Sequence, residues 1–168
     1  TVEAYITILE DLLLAFRIPV FSKKAKRATV GHSKFYYFDA GVYRSLRPCG
    51  PLDKPEEIEG AALEGLIAQH LIAWSFYGNE KNKVYFWRTT SGSEVDFIVY
   101  GEKVFWAIEV KNISRIRPED LRSLRSFKSE YPQSSAILLY RGKERLKKDN
   151  VLCLPCDEFL LSLGSEKI

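Results

Sequence analysis

The chain has 168 residues, 46% of them hydrophobic and 13% aromatic, which is enough to build the core of one ordinary domain. Its longest uninterrupted apolar runs are five residues, far short of the roughly 20 that a membrane span needs. Three cysteines without framework spacing favour a reducing cytoplasm over a disulfide scaffold. Because residue 1 is Thr and no Met occurs, we expect the chain to be a piece of a longer protein.

The net charge of +3 conceals an uneven distribution of charge along the chain. An acidic middle, residues 48–110, lies between two basic blocks at 17–47 and 111–148. Such a pattern suits a divalent cation bound beside a polyanion. Ordinary solvated faces are the simpler explanation when the charge pattern is taken alone.

The first third of the chain predicts short elements followed by a linker. Apolar residues recur at helical spacing over 2–16 and predict an amphipathic helix. The aromatic run at 34–38 predicts a strand, and Asp39 is placed to cap a short helix at 41–46. Residues 47–55 contain three prolines and a glycine and are the best linker candidate.

The remaining two thirds predict a mixed α/β domain. Its first element is a long helix at 56–77, on which His70 lies in the apolar stripe that faces the core. The later elements expected are strands near 84–89, 94–100 and 104–111, a helix from Pro118 to about Tyr131, strands at 135–140 and 151–154, and a last helix at 157–163.

Acidic residues face one another on a predicted hairpin whose turn is Tyr-Gly-Glu-Lys at 100–103. If the turn is centred there, cross-strand partners have numbers that add up to 203, and Glu94 lies across from Glu109. Asp96 and Lys111 share that face. Like charges on neighbouring strands are destabilising, and a divalent cation with oxygen ligands offsets the repulsion.

A solvent-exposed face with Lys111 simply paired to Glu109 is the alternative. Two features favour a packed face instead. Ile98 and Phe105 lie on the acidic side, and the long helix presents Glu64 beside its apolar stripe. A carboxylate from the covering helix could complete the same acidic pocket.

These residues carry a resemblance to known proteins. Asp96 followed by Glu109-Val110-Lys111, with a glutamate on an upstream helix, resembles the active-site pattern of the PD-(D/E)XK nuclease superfamily. A wider set of segments resembles the uncharacterised C-terminal domain that follows a AAA-type ATPase module in many bacterial and archaeal proteins: KFYYFDAG (34–41), GAALEGLIAQHL (60–71), YFWRTTSGSEVDFIV (85–99) and AIEVK (107–111).

The resemblance implies both a fold and a domain division. The fold is an α/β, PD-(D/E)XK nuclease-like mixed sheet flanked by helices, over residues 51–168. Residues 1–50 would form a partial winged-helix-like segment and linker, with its basic wing at 23–27. The missing N-terminal part would contain the AAA-type ATPase module, since this chain has no G-x4-G-K-[ST] motif for ATP.

The resemblance also implies site roles. Asp96 and Glu109 would bind Mg²⁺ or Mn²⁺, Lys111 would stabilise charge on the reacting phosphate, and Glu64 would be an accessory ligand or orient water. The implied activity is that of a metal-dependent deoxyribonuclease, with DNA as the favoured nucleic acid. Many superfamily relatives keep the fold without cleavage, so a non-catalytic DNA- or protein-binding module for the ATPase is the alternative.

Basic side chains follow the acidic pattern at Arg115, Arg117, Arg122, Arg125 and Lys128. The spacing of the last three places them along one side of the helix that begins at Pro118, where they could contact phosphates. An ordinary solvated face explains this spacing equally well.

Overall fold

The computed structural model describes residues 1–22, 32–47, 50–78 and 81–163, so the basic wing expected at 23–27 lies outside the described residues. The elements in chain order are α1 (Val2–Asp11), β1 (Ala15–Ile18), β2 (Lys34–Tyr37), α2 (Ala40–Leu46), α3 (Pro55–Tyr77), β3 (Lys83–Arg88), β4 (Glu94–Tyr100), β5 (Phe105–Lys111), a 3₁₀ turn (Pro118–Leu121) that leads into α4 (Arg122–Glu130), β6 (Ser135–Tyr140), β7 (Leu146–Lys148), β8 (Val151–Pro155) and α5 (Cys156–Ser162). Within these ranges, no helix combines the length and the apolar character that a bilayer crossing requires.

A six-stranded mixed sheet in the order β3-β4-β5-β6-β8-β7 forms the centre of the fold. The first three strands are antiparallel, β5, β6 and β8 run parallel, and β7 is antiparallel to β8. The mixed α/β sheet flanked by helices is therefore confirmed. β7 was not predicted, because its three residues are mostly exposed and show no apolar alternation.

Each face of the sheet packs against a different helix. On one face, α3 contributes Ile67 and Leu71 to a core that also includes α5. On the other face, α4 contributes Leu124 and Phe127 to a second core. Alternation along the strands supplies both cores, because successive side chains point to opposite faces.

The N-terminal helix is shorter than predicted. α1 ends at Asp11, Leu13 adopts a left-handed φ of 58°, and the chain then enters β1. β1 pairs with β2 in a separate two-stranded sheet, where Phe16 lies opposite Tyr36. The prediction of a helix over 2–16 is wrong for residues 12–16, because the chain turns there and Ala15 and Phe16 begin a strand.

The two-stranded sheet packs directly on the large sheet. Ile18 and Tyr36 belong to the α3-side core, and Phe21 belongs to the α4-side core. Val20 forms an isolated parallel bridge with Phe86 of β3. The described part of residues 15–37 therefore packs against the large sheet. The division of the chain into two domains at residue 50 stays a prediction.

The long helix α3 has the predicted position but a different buried stripe. It begins with Pro55 and two glutamates, which suit a helix N-terminus. Its stripe passes through Ala68 and Leu71, whereas His70 lies to one side and is exposed. The prediction of a core position for His70 is wrong, because the sheet contacts the neighbouring side of the helix.

Candidate acidic site

Asp96 lies at a β-bulge. The β3–β4 register shifts by one residue at this point, so Asp96 and Phe97 together oppose Phe86. Val95 and Phe97 consequently pack into different cores, although they are two residues apart. Asp96 Oδ2 accepts a hydrogen bond from the backbone N–H of Val110 at 2.9 Å. The bulge thus turns the Asp96 carboxylate toward β5. There the carboxylate accepts the hydrogen bond from Val110 N–H that a backbone carbonyl accepts in a regular sheet.

The hairpin register differs from the predicted one by two residues. Phe97 pairs with Ile108 in a register whose partner numbers add up to 205, because the turn lies one residue further along the chain, at 101–104, where the Gly101 N–H donates to the carbonyl of Val104. Continued by one residue, this register places Asp96 opposite Glu109. The prediction that Glu94 faces Glu109 is therefore wrong.

Glu109 and Lys111 lie on the α4 side of the sheet. Ala107 packs into the α4-side core, whereas Ile108 and Val110 pack into the α3-side core, and alternation gives Glu109 and Lys111 the face of Ala107. Lys111 Nζ lies 2.8 Å from Glu109 Oε1. These two residues do not share a face with α3 and Glu64, contrary to the expectation of one covered acidic face.

The second oxygen of Glu109 is a buried acceptor. Glu109 is only 4% exposed, and its Oε2 has no hydrogen-bond partner among the described residues. Burial and the charge of Asp96 raise the pKa of Glu109, and Lys111 offsets only part of this effect. An ionised Glu109 is therefore costly in this environment.

Lys34, which the sequence did not single out, holds Asp96 from the α3 side. Its Nζ lies 2.6 Å from Glu94 Oε1, 3.0 Å from Glu64 Oε1 and 3.3 Å from Asp96 Oδ1. Glu64 Oε1 also accepts a hydrogen bond from the Tyr36 hydroxyl at 2.6 Å. Burial by itself lowers the pKa of Lys34, but the surrounding carboxylates outweigh burial and raise it.

One sequence signal could have identified Lys34. It precedes Tyr36 by two residues on β2, so both side chains lie on the same side of the strand. Tyr36 is buried in the α3-side core. A lysine on the buried side of a strand requires a counter-charge, and the nearby acids supply it.

The four predicted catalytic residues thus fall into two groups that meet at Asp96. Glu64 contacts Lys34 on the α3 side, and Glu109 pairs with Lys111 on the α4 side. Burial and the charge of Glu64 raise the pKa of Asp96, while Lys34 and the Val110 N–H partly counteract them. In the part of the chain that the structure describes, no three Asp, Glu, His or Cys side chains are arranged to ligate one ion. The single pocket of three acids is therefore not formed.

A cavity of about 250 Å³ adjoins the Lys34 side of the site. It lies between β2, α2 and α3, and its lining includes Lys34, Tyr36, Tyr43 and Glu64. Lys34 thus contacts the carboxylates and also belongs to the lining of the cavity.

The predicted basic residues lie near α4. Leu124 and Phe127 are buried in the α4-side core, as the predicted helix requires. Four of the five basic residues are exposed and Lys128 is partly buried. Arg125 is bound to Asp149, and Lys128 Nζ donates to the carbonyl of Asn150 at 3.3 Å. A role in phosphate binding stays a prediction for all five: Arg115, Arg117, Arg122, Arg125 and Lys128.

The whole large sheet, α4 and most of α3 lie in residues 59–159, which match a family described as a domain of unknown function, DUF4143. The chain belongs to this family. Its members follow AAA-type ATPase modules, in agreement with the resemblance described above. Residues 1–53 match a second domain of unknown function, DUF8612.

Two mycobacterial proteins are similar to the whole chain. They are the uncharacterized proteins Rv2008c of Mycobacterium tuberculosis and Mb2031c of Mycobacterium bovis, each 28% identical over 170 aligned residues. The alignments cover 98% of this chain but only 36% of each relative. No solved structure matches the chain.

Proposed function

We propose that this chain contains a nuclease-like site that hydrolyses phosphodiester bonds with Mg²⁺ or Mn²⁺, with DNA as the favoured substrate. The protein would also contain a AAA-type ATPase module and act in the cytoplasm. The observation that carries the proposal is the buried Glu109 next to the partly buried Asp96, beside Lys111. Burying two like charges costs several kcal/mol unless a cation offsets them.

The donor set fits a hard divalent cation. Asp96 and Glu109 offer oxygen ligands only, and the buried Glu109 Oε2 lacks a partner among the described residues. Mg²⁺ is commonly bound by one or two carboxylates, with water and phosphate oxygens in its other positions. Asp96 and Glu109 would therefore hold the ion, which supplies an activated water and charge stabilisation when bound.

The neighbouring side chains suit a phosphate substrate. The Lys111 side chain is 37% exposed while its ammonium contacts the buried Glu109, so it can stabilise negative charge that develops on phosphate oxygens. Glu64, fixed by the Tyr36 hydroxyl, would orient water as an accessory group. The mixed sheet with helices on both faces is compatible with the PD-(D/E)XK fold that the resemblance implies.

Plasmid nicking tests the proposed activity. With Mn²⁺ and supercoiled DNA, we expect the wild-type chain to nick the plasmid, and Asp96→Asn and Lys111→Met to lose the activity. Glu102→Gln is the matched control, because it removes an exposed acid at the hairpin turn. Equal nicking by all four proteins would indicate a contaminant and refute the assignment.

A non-catalytic module that binds DNA or protein for the ATPase is the second candidate. Lys34 favours it, because its ammonium already occupies a position between the carboxylates of Glu64, Glu94 and Asp96. Calorimetric titration with Mn²⁺ distinguishes the two candidates. Binding heat that Glu109→Ala removes supports the metal site, whereas the absence of such heat favours the module.

The basic side of α4 has its own test. We expect Arg122→Glu combined with Arg125→Glu to weaken DNA binding and flatten its salt dependence, because fewer counterions are released. Glu130→Lys, on the same helix, is the charge-reversal control and should not weaken binding. Unchanged affinity of the double variant would place α4 outside the DNA interface.

A further inference from the structure

We propose that Lys34 is an internal cation that competes with the divalent metal for Asp96, so that the position of β2 sets metal occupancy. This inference rests on the metal site proposed above. It assigns to the N-terminal segment a direct effect on a site whose acids lie elsewhere in the chain.

The contacts of Asp96 show why the two cations compete. Oδ1 contacts Lys34 at 3.3 Å, and Oδ2 accepts from the Val110 N–H at 2.9 Å. Both carboxylate oxygens are thus already engaged. A divalent ion at Asp96 would lie close to the Lys34 ammonium, and their repulsion is strong in a poorly hydrated site. Metal binding therefore requires Lys34 to withdraw from Oδ1.

The surroundings of Lys34 allow this withdrawal. The cavity beside β2 is lined by both Lys34 and Glu64, and a lysine ammonium is carried on a flexible four-carbon stem. Nζ already contacts Glu64 at 3.0 Å. Lys34 can therefore leave Asp96 and keep Glu64 as its partner, so its own charge stays balanced.

The two competing groups belong to different parts of the chain. Lys34 lies within residues 1–53, which match one family, whereas Glu64, Glu94 and Asp96 lie within 59–159, which match the other. β2 is held by pairing with β1 and by burial of Tyr36. Any displacement of this two-stranded sheet would move Lys34 relative to Asp96 and change the charge that the metal meets.

The decisive measurement is the affinity for Mn²⁺ in the wild-type chain and in Lys34→Met, by calorimetry without nucleic acid. We expect Lys34→Met to bind on the order of 10- to 100-fold more tightly, because a charge within about 4–6 Å alters carboxylate affinities by this much. Arg88→Met is the matched control. It removes a cation that contacts Glu94 at 2.5 Å from the exposed side, and we expect a change of about twofold or less.

The possible outcomes separate the inference from the function it rests on. Wild-type binding that Glu109→Gln abolishes, with no tightening in Lys34→Met, would overturn the competition and leave the metal site standing. Absence of Mn²⁺ binding in both proteins would overturn both. If Lys34→Met fails to fold, the same comparison is made in a Glu94→Gln background, which carries one negative charge fewer. The affinity for Mn²⁺ is then measured in Glu94→Gln and in the double variant Glu94→Gln with Lys34→Met. Equal affinities of these two proteins would again overturn the competition.

Discussion

Lys34 and Lys111 lie on opposite faces of the sheet, where Lys34 contacts Asp96 and Lys111 contacts Glu109, and the surroundings of the two lysines differ. Lys34 is 17% exposed in its side chain and contacts three carboxylates. The Lys111 side chain is 37% exposed and forms an ion pair with Glu109. The first lysine has the environment of a structural counter-charge, whereas the second retains exposed surface that a phosphate could reach.

The acids Glu94 and Glu109 also differ, in the direction in which their pKa values are shifted. On the α3 side, Glu94 has its pKa lowered, because its contacts with Lys34 and Arg88 outweigh burial. On the α4 side, burial dominates and the pKa of Glu109 is raised. Glu94 is therefore held in its ionised form by its cations, whereas burial disfavours the ionised form of Glu109 even though Lys111 contacts it.

Removal of Lys34 should have the largest effect on stability. We expect Lys34→Met to lower the free energy of unfolding by about 3–5 kcal/mol at neutral pH without metal, because it removes the cation that three partly buried carboxylates share. Lys111→Met should cost only about 1 kcal/mol, since Glu109 can take up a proton instead. Urea unfolding in EDTA measures both. Equal losses would remove the distinction between the two lysines.

Neutralising Glu109 should stabilise the protein. Because the folded pKa of Glu109 is raised, the folded state retains a proton that the unfolded state, with a pKa near 4.3, has released. Stability therefore falls as pH rises from about 4.3 through the raised folded pKa. We expect Glu109→Gln to gain about 1–3 kcal/mol at higher pH and nothing near pH 4.

Urea unfolding between pH 4 and 9 in EDTA tests this difference. Glu102→Gln, which alters an exposed acid at the hairpin turn, is the control and should follow the wild type throughout. A wild type that is more stable than Glu109→Gln at neutral pH would show that the ion pair with Lys111 outweighs burial.

Tyr36 should have a smaller effect than Lys34. Tyr36→Phe removes the hydroxyl that donates to Glu64 at 2.6 Å, and hydrogen bonds to charged groups contribute about 1.5–3 kcal/mol. We expect a loss at the lower end of this range, because Lys34 still contacts Glu64. Tyr37→Phe on the same strand is the control for thermal unfolding. Similar losses in the two variants would argue against a specific contribution of the Tyr36 hydroxyl.

Arg88 should have the smallest effect. It contacts Glu94, as Lys34 does, but its side chain is 53% exposed. Exposed ion pairs typically contribute about 0–1 kcal/mol, so Arg88→Met should change the unfolding free energy by less than about 0.5 kcal/mol. A loss comparable to that of Lys34→Met in the same urea assay would show that burial does not distinguish the two cations.

Local sequence patterns predicted most of the elements. The bounds of β4 and β6 agree with the prediction, and the Asp39 cap is confirmed by a hydrogen bond from the Val42 N–H to its side chain. The errors lie where a turn determined the end of a helix or the register of a hairpin. α1 ends at Asp11, just before Leu13 with its left-handed φ, and the turn closed by Gly101 lies one residue later than predicted, which shifts the β4–β5 register.

The sequence by itself determined which residues alternate, which helices bury an apolar stripe and which acids lie near the hairpin, because these properties depend on neighbours a few residues away. Tertiary structure alone decided that Lys34 would meet Glu64 and Asp96, which lie 30 and 62 residues further along the chain. It also decided, through the bulge at Asp96, which face each acid occupies. These contacts depend on how the two-stranded sheet packs against α3 and β4, and no local periodicity in the sequence contains that information.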